Sequence, residues 1–208
     1  MFPDPEKADA DGLVAYGGDL KPRTLVEAYC RGIFPWFDEE SPILWWSPDP
    51  RAIFELDGFH TSRRLARTLR TGRFTCTLDR DFAGVIQGCA DREEGSWITP
   101  DMIQAYTDLH QRGLAHSVEC WQDGELAGGV YGVALKGFFA GESMFHRRTD
   151  ASKIALAFLL GHLRQRSFQL FDIQMITPHT RSLGAVEIPR REYLKRLRAA
   201  LQCEATFS

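Results

Sequence analysis

Residues 116–145 read HSVECWQDGELAGGVYGVALKGFFAGESMF. Three runs of β-branched, aromatic and apolar residues, 116–121, 125–135 and 138–145, are separated by Gln122-Asp123-Gly124 and Lys136-Gly137. Short polar, glycine-containing breaks between strand-like runs are the signature of a β-meander. Downstream, Thr149 or Asp150 starts a mostly apolar helix over 151–166. Residues 168–175 then read as another strand, and 189–201 as a closing amphipathic helix. Meander, buried helix, strand and helix in that order predict an α+β domain.

Upstream the pattern is looser. A helix is expected over 24–31, where Thr24 and Glu27 have capping-box spacing and Gly32 provides a stop. Residues 34–51 hold Pro35, Pro42, Pro48 and Pro50 together with Trp36, Trp45 and Trp46, which rules out regular helix and predicts a shaped loop or short edge strands. A helix is expected over 62–71, with Leu65 and Leu69 on one side. Another starts at a Thr99 cap with Pro100 in its first turn and ends before Gly113. A small N-terminal domain over 1–55 and a larger one over 56–208 is the expected division, with a border near 110 as the other option.

The bulk numbers exclude several classes. A chain of 208 residues needs no metal or disulfide staple to bury a core. At net charge −3 the whole molecule is no general nucleic-acid binder, so any such partner requires locally gathered basic groups. The cysteines, Cys30, Cys76, Cys89, Cys120 and Cys203, are odd in number and form no C-x-x-C pair. With an acidic, polar N-terminal stretch in place of a secretory leader, reduced thiols in a cytoplasmic protein are expected. The longest apolar run, 154–160, is far too short for a membrane span. No H-E-x-x-H, paired-cysteine, P-loop or dinucleotide glycine pattern occurs, so no metal and no cofactor is expected. Monomer is the default.

Seven segments in order resemble the leucyl/phenylalanyl-tRNA–protein transferase family. They are GGDL (17–20), RGIFPWF (31–37), WWSPDPR (45–51), REEGSWIT (92–99), GGVYG (128–132), GESMF (141–145) and SLGAVEIPRR (182–191). The resemblance spans nearly the whole chain. It implies a small N-terminal domain joined to an acetyltransferase-like (GNAT-like) C-terminal domain with a mixed sheet. It also implies transfer of leucine or phenylalanine, with tolerance for methionine, from aminoacyl-tRNA to proteins beginning with Arg or Lys, marking them for N-degron proteolysis.

Catalytic positions carried over from the family are Asp172, Gln174 and Glu142. Read alone, the alternation in 171–175 puts Asp172 and Gln174 on one strand face, and a solvated face is the commoner meaning of such a pattern. The donor ester is already activated and protein α-amines have a pKa of about 7.7–8.0, so no covalent enzyme nucleophile is required. Asp172 is expected to accept a hydrogen bond or proton from the amine, or to act by position alone. Gln174 is expected to orient the ester, and Glu142 to hold the donor's α-amino group. By resemblance Val130, Phe139, Met144, Leu159 and Leu163 line the amino-acid pocket, and Trp36 and Trp97, with Tyr29 and Tyr106, meet the tRNA 3′-adenosine. Arg63, Arg64, Arg67, Arg70 and Arg73 lie in a stretch without acids and are the expected tRNA backbone contacts; Arg63, Arg67 and Arg70 share a helical face. A second basic run, Arg190, Arg191, Lys195, Arg196 and Arg198, lies on the last helix. Glu187, Asp49 or Glu142 is expected to meet a basic acceptor.

Three rival readings stay open: an acyl-CoA-dependent N-acyltransferase, a non-catalytic tRNA-binding module, and a peptidoglycan cross-bridge transferase. The first would want a glycine-bearing pyrophosphate cradle before the buried helix, where residues 147–152 read RRTDAS.

Overall fold

The computed structural model describes residues 2–91 and 96–208, so 92–95 of the REEGSWIT segment lie outside the described residues. The expected meander is present as β6 (Ala115–Gln122), β7 (Glu125–Leu135) and β8 (Phe138–His146), each antiparallel to the next. Its turns use left-handed residues: Asp123 and Gly124 at φ 53° and 80°, and Lys136 at φ 54°. Helix α5 (Ala151–Gln165) crosses over to β9 (Leu170–Gln174), which pairs parallel to β8. A parallel pair requires such a crossover, and the apolar helix covers the sheet that it spans.

The remaining strands were only partly legible. In chain order the elements before the meander are β1 (Leu13–Tyr16), α1 (Pro22–Cys30), β2 (Phe34–Pro35), β3 (Leu44–Trp46), β4 (Arg51–Phe54), α2 (Arg63–Arg70), β5 (Thr75–Leu78), α3 (Phe82–Ala90) and α4 (Pro100–Gln111). After β9 come α6 (Pro178–Ser182), β10 (Val186–Ile188) and α7 (Arg190–Ala200). One mixed sheet runs β10-β4-β9-β8-β7-β6-β5, and a small separate sheet runs β1-β3-β2. Strand β4 lies within the span expected of the N-terminal domain, yet it pairs with β9 and β10 of the large sheet. The fold is α+β with a mixed sheet.

Two apolar cores sandwich that sheet. On one face α5 packs Ile154, Leu156, Leu159, Leu160 and Leu163 against Val118, Val130 and Phe139, and α2 adds Leu65. Each such fully buried side chain contributes about 1.5–3 kcal/mol. On the other face α1, α3, α4 and α7 bury Leu25, Val85, Tyr106 and Leu197. The GGVYG segment of β7 lets both layers come close. A Cβ at Gly128 would meet the Ala151 Cβ at 2.8 Å, and one at Gly129 would meet Val85 Cγ2 at 2.8 Å from the opposite side.

Local caps agree only in part with the sequence reading. Thr99 caps α4 and Ser62 caps α2 as expected. Helix α1 instead starts at Pro22, two residues early, and Thr24 makes no capping box: its hydroxyl bonds the Asp19 carboxylate at 2.6 Å. A proline in the first turn outranks a hydroxyl cap here because its fixed φ already suits the helix. Leu69 does not join Leu65 in the core and is 42% exposed, since α2 touches the rest of the protein along only one edge. Among the described residues no helix is long and apolar enough to cross a membrane.

Candidate active site

The parallel pairing of β8 and β9 ends at Ala140 and Asp172. Just there both strands depart from regular register. In β8 the pairing jumps from Gly132↔Gly141 to Tyr131↔Ser143, leaving Glu142 as the extra residue. In β9 it jumps from Ile53↔Asp172 to Ala52↔Gln174, leaving Ile173 extra. Bulges turn side chains away from simple alternation and splay the strands. Beside this irregularity lies a cavity of about 930 Å³, with Glu142 and Gln174 in its wall.

Asp172 is behind that wall. It is 0% exposed, and Arg51 grips it with two bonds, Nε to Oδ1 at 2.9 Å and Nη2 to Oδ2 at 2.7 Å. Tyr193 donates its hydroxyl to Oδ2 at 2.8 Å, and the Gln174 N–H donates to Oδ1 at 2.8 Å. Arg51 is itself sandwiched between the Phe34 and Tyr193 rings, 4.8 and 4.5 Å from their centroids, and donates to the Gly32 carbonyl. Burial works against the guanidinium charge, but the adjacent Asp172 carboxylate holds Arg51 above its ordinary pKa. The pair fixes the backbone of Gln174, a non-glycine residue at φ 63°. The left-handed region is costly for such a residue unless its surroundings impose it.

From that backbone, Gln174 Nε2 donates to Glu142 Oε1 at 2.9 Å. Tyr106 donates its hydroxyl to Glu142 Oε2 at 3.0 Å, and the Tyr106 and Tyr29 hydroxyls are 2.6 Å apart. Glu142 is 8% exposed and its pKa is pushed up to about 7. Burial is the main cause; the Asp172 charge adds to it, and the hydrogen bonds from Tyr29, Tyr106 and Gln174 oppose it. Burial, then the Glu142 charge, raises both tyrosine hydroxyls well above their usual range.

The structure brings together only some of the residues singled out by sequence. Val130, Met144, Trp36 and Trp97 line the cavity along with Glu142 and Gln174. Phe139, Leu159 and Leu163 do not: they are fully packed between α5 and the sheet, and Phe139 meets the cavity-lining Phe171 edge-on at 5.5 Å. Tyr29 and Tyr106 are buried and do not line the cavity; Tyr106 instead supports Glu142. The five arginines, Arg63, Arg64, Arg67, Arg70 and Arg73, are all exposed on or after α2, away from the cavity wall. Neither Glu187, paired with Arg181 at 2.7 Å, nor Asp49, bonded by the Arg190 N–H, is part of that wall.

Sequence reasoning missed Arg51 and Tyr193, whose partner lies 121 and 21 residues away respectively. It also missed Phe54, Leu156, Phe171, Asp91 and the Arg147–Ser152 side of the cavity. The buried arginine ends the WWSPDPR segment, so a charged residue inside an apolar, proline-locked stretch was the available signal.

An apolar recess with an aromatic lip, ending on a carboxylate and a carboxamide held by a buried ion pair, defines the cleft of an enzyme. A model of the leucyl/phenylalanyl-tRNA protein transferase family matches residues 53–198, and a model of that family's N-terminal domain matches 18–49. The chain is 55% identical to the leucyl/phenylalanyl-tRNA–protein transferase of Solidesulfovibrio magneticus, over 98% of this chain and 84% of that one. It is also 55% identical to the protein of the same name from Desulfatibacillum aliphaticivorans, over 97% of this chain and 88% of that one. Among solved structures, a GCN5-related N-acetyltransferase from Kribbella flavida aligns with TM-score 0.42 at 13% identity, covering 81% of this chain and 59% of that one. This chain belongs to the leucyl/phenylalanyl-tRNA protein transferase family, whose members are aminoacyltransferases.

Proposed function

We propose that this enzyme transfers leucine or phenylalanine from aminoacyl-tRNA to the α-amine of acceptor proteins in the cytoplasm. The observation that carries the reading is the pairing of Glu142 with Gln174 at the floor of a cavity whose wall includes Val130, Met144, Leu156 and Phe171. An aromatic side chain, or an aliphatic one unbranched at Cβ, fits such a recess, and Met144 can adapt to both. Trp36 and Trp97, in the same lining, offer ring faces to the terminal adenosine.

Asp172 acts by position: all its strong acceptor directions are filled by Arg51, Tyr193 and the Gln174 N–H. Proton handling falls to Glu142. The acceptor nitrogen attacks the ester carbonyl carbon, a C–N bond forms, and Glu142 takes the proton. As the ester C–O bond breaks, Glu142 returns that proton to the departing 3′-oxygen. A carboxylate with pKa about 7 is well matched to an amine with pKa of about 7.7–8.0. Gln174 steadies the carboxylate and the reacting carbonyl. Proteins that begin with Arg or Lys are the acceptors, with Asp91, the second acid on the cavity wall among the described residues, to meet the basic side chain. The exposed arginines of α2 carry the tRNA backbone.

The test is transfer of labelled leucine, phenylalanine or arginine from its tRNA into proteins starting with Arg, Lys, Asp or Glu. Leu and Phe transfer to basic N-termini, slowed about 10²-fold or more in Glu142→Gln and less in Trp36→Phe, is the expected result. Binding of tRNA without any transfer would refute it.

A further inference from the structure

The cavity has a third region that the proposed chemistry leaves unused. His146, Arg147, Ser152, Thr177 and His179 line it beside the start of α5. That helix is 15 residues long, and its N-cap, Asp150, gives it no side-chain cap. Asp150 is left-handed at φ 72° and turns its carboxylate to Arg64 at 3.4 Å and Lys153 at 3.3 Å. Ala151 and Ile154 have backbone acceptors, the carbonyls of Arg148 and Asp150, but among the described residues none meets the N–H groups of Ser152 and Lys153. Uncapped first-turn N–H groups carry the positive end of the helix dipole and attract anions.

Two further observations point to a ligand. Ser152 is 5% exposed and lines the cavity, and its hydroxyl has no hydrogen-bond partner among the described residues. The hydroxyl oxygen itself is accessible from the cavity, so it is free to bond a ligand there. Arg147 lines the same region with no carboxylate partner among the described residues, its guanidinium 5.3 Å from the centroid of the Phe145 ring. That contact keeps the planar fork at the cavity edge, where it suits two oxygens of one phosphate. His146 and His179 add donors; burial, followed by the charges of Lys153 and His146, lowers the pKa of His179.

We propose that Arg147, the Ser152 hydroxyl and the start of α5 form a phosphate subsite, which holds the phosphodiester joining the last two nucleotides of the aminoacyl-tRNA. This deepens the reading above, on which it rests: with the adenosine at Trp36 and Trp97, the nearest negative charge on the donor is that phosphate. A free nucleotide carrier such as coenzyme A could offer the same chemistry, and the experiment separates the two.

Leucyl-adenosine and the dinucleotide leucyl-CpA serve as minimal donors in steady-state transfer to a peptide beginning with Arg. Transfer from leucyl-adenosine tests the catalytic reading alone, since this donor lacks the phosphate. The dinucleotide should have a KM about 10-fold or more lower, the gain expected of charge-assisted hydrogen bonds to one phosphate. In Arg147→Ala that ratio should fall towards one with leucyl-adenosine unaffected, and Ser152→Ala should reduce it in part. Arg148→Ala, whose side chain meets Glu125 at 3.5 Å outside the cavity lining, should leave the ratio intact. Equal KM values for the two donors in the unmodified enzyme would overturn the proposal, as would an Arg147→Ala effect shared equally by both. Arg147-dependent inhibition by coenzyme A with no dinucleotide advantage would reassign the phosphate to a free nucleotide carrier.

Discussion

Replacing Arg51 by Met tests whether a buried ion pair governs this site. The substitution keeps much of the volume between the Phe34 and Tyr193 rings but removes both bonds to Asp172. The Asp172 carboxylate, 0% exposed, then retains only the Tyr193 hydroxyl and the Gln174 N–H. Removing one partner of a buried pair costs about 3–5 kcal/mol because the other charge stays in a medium that solvates it poorly. With a urea m-value of about 2 kcal/mol/M, the unfolding midpoint should fall by about 1.5–2.5 M. In Arg51→Met/Asp172→Asn the charge is gone while an acceptor for the Gln174 N–H remains, so about half the loss or more should return. Urea unfolding followed by tryptophan fluorescence and circular dichroism measures all three proteins. A cost below about 1 kcal/mol for the single variant, or a double variant no more stable than it, would refute the reasoning.

Glu142→Gln should lower kcat by about 10²-fold or more and remove the limb of kcat that rises through pH 7, as a pH-rate series would show. The same group bears on stability. Because its folded pKa of about 7 exceeds the ordinary 4.5, its contribution is fully present below pH 4.5 and lost as pH rises through 7. Glu142→Gln should therefore gain thermal stability relative to the unmodified protein at pH 8 compared with pH 5, read by melting at both pH values. Trp97→Ala should weaken leucyl-adenosine binding about 5- to 150-fold by calorimetry, since a stacked base is worth about 1–3 kcal/mol. Replacing Arg63, Arg67 and Arg70 by Ala should flatten the dependence of log affinity for tRNA on log salt by about 2–3, measured by filter binding. Gly129→Ala sets a methyl 2.8 Å from Val85 Cγ2 and 2.9 Å from the Val118 carbonyl oxygen, so it should lower Tm by about 2–12 °C through overpacking of about 1–3 kcal/mol.

The amino-acid sequence by itself determined the elements that local chemistry controls. The meander was legible from three strand-like runs broken at Gln122-Asp123-Gly124 and Lys136-Gly137, and α4 from its Thr99 cap and Pro100. Glu142 and Gln174 were found through family motifs, and the cavity wall includes both. Only the tertiary structure decided which other members of the set face that cavity. Alternation along 171–175 put Asp172 beside Gln174, but the bulge at Ile173 and the left-handed Gln174 separate their roles, and an arginine 121 residues away claims the aspartate. Leu159 and Leu163 share their helix with Leu156, yet only Leu156 lines the cavity, because the crossing of α5 over the sheet selects one short stretch of its buried face. Residue type and spacing set which side chains are apolar, charged or turn-forming. Which of them point inward at a splayed strand pair depends on contacts between segments far apart in the chain, and periodicity within one segment carries no record of those.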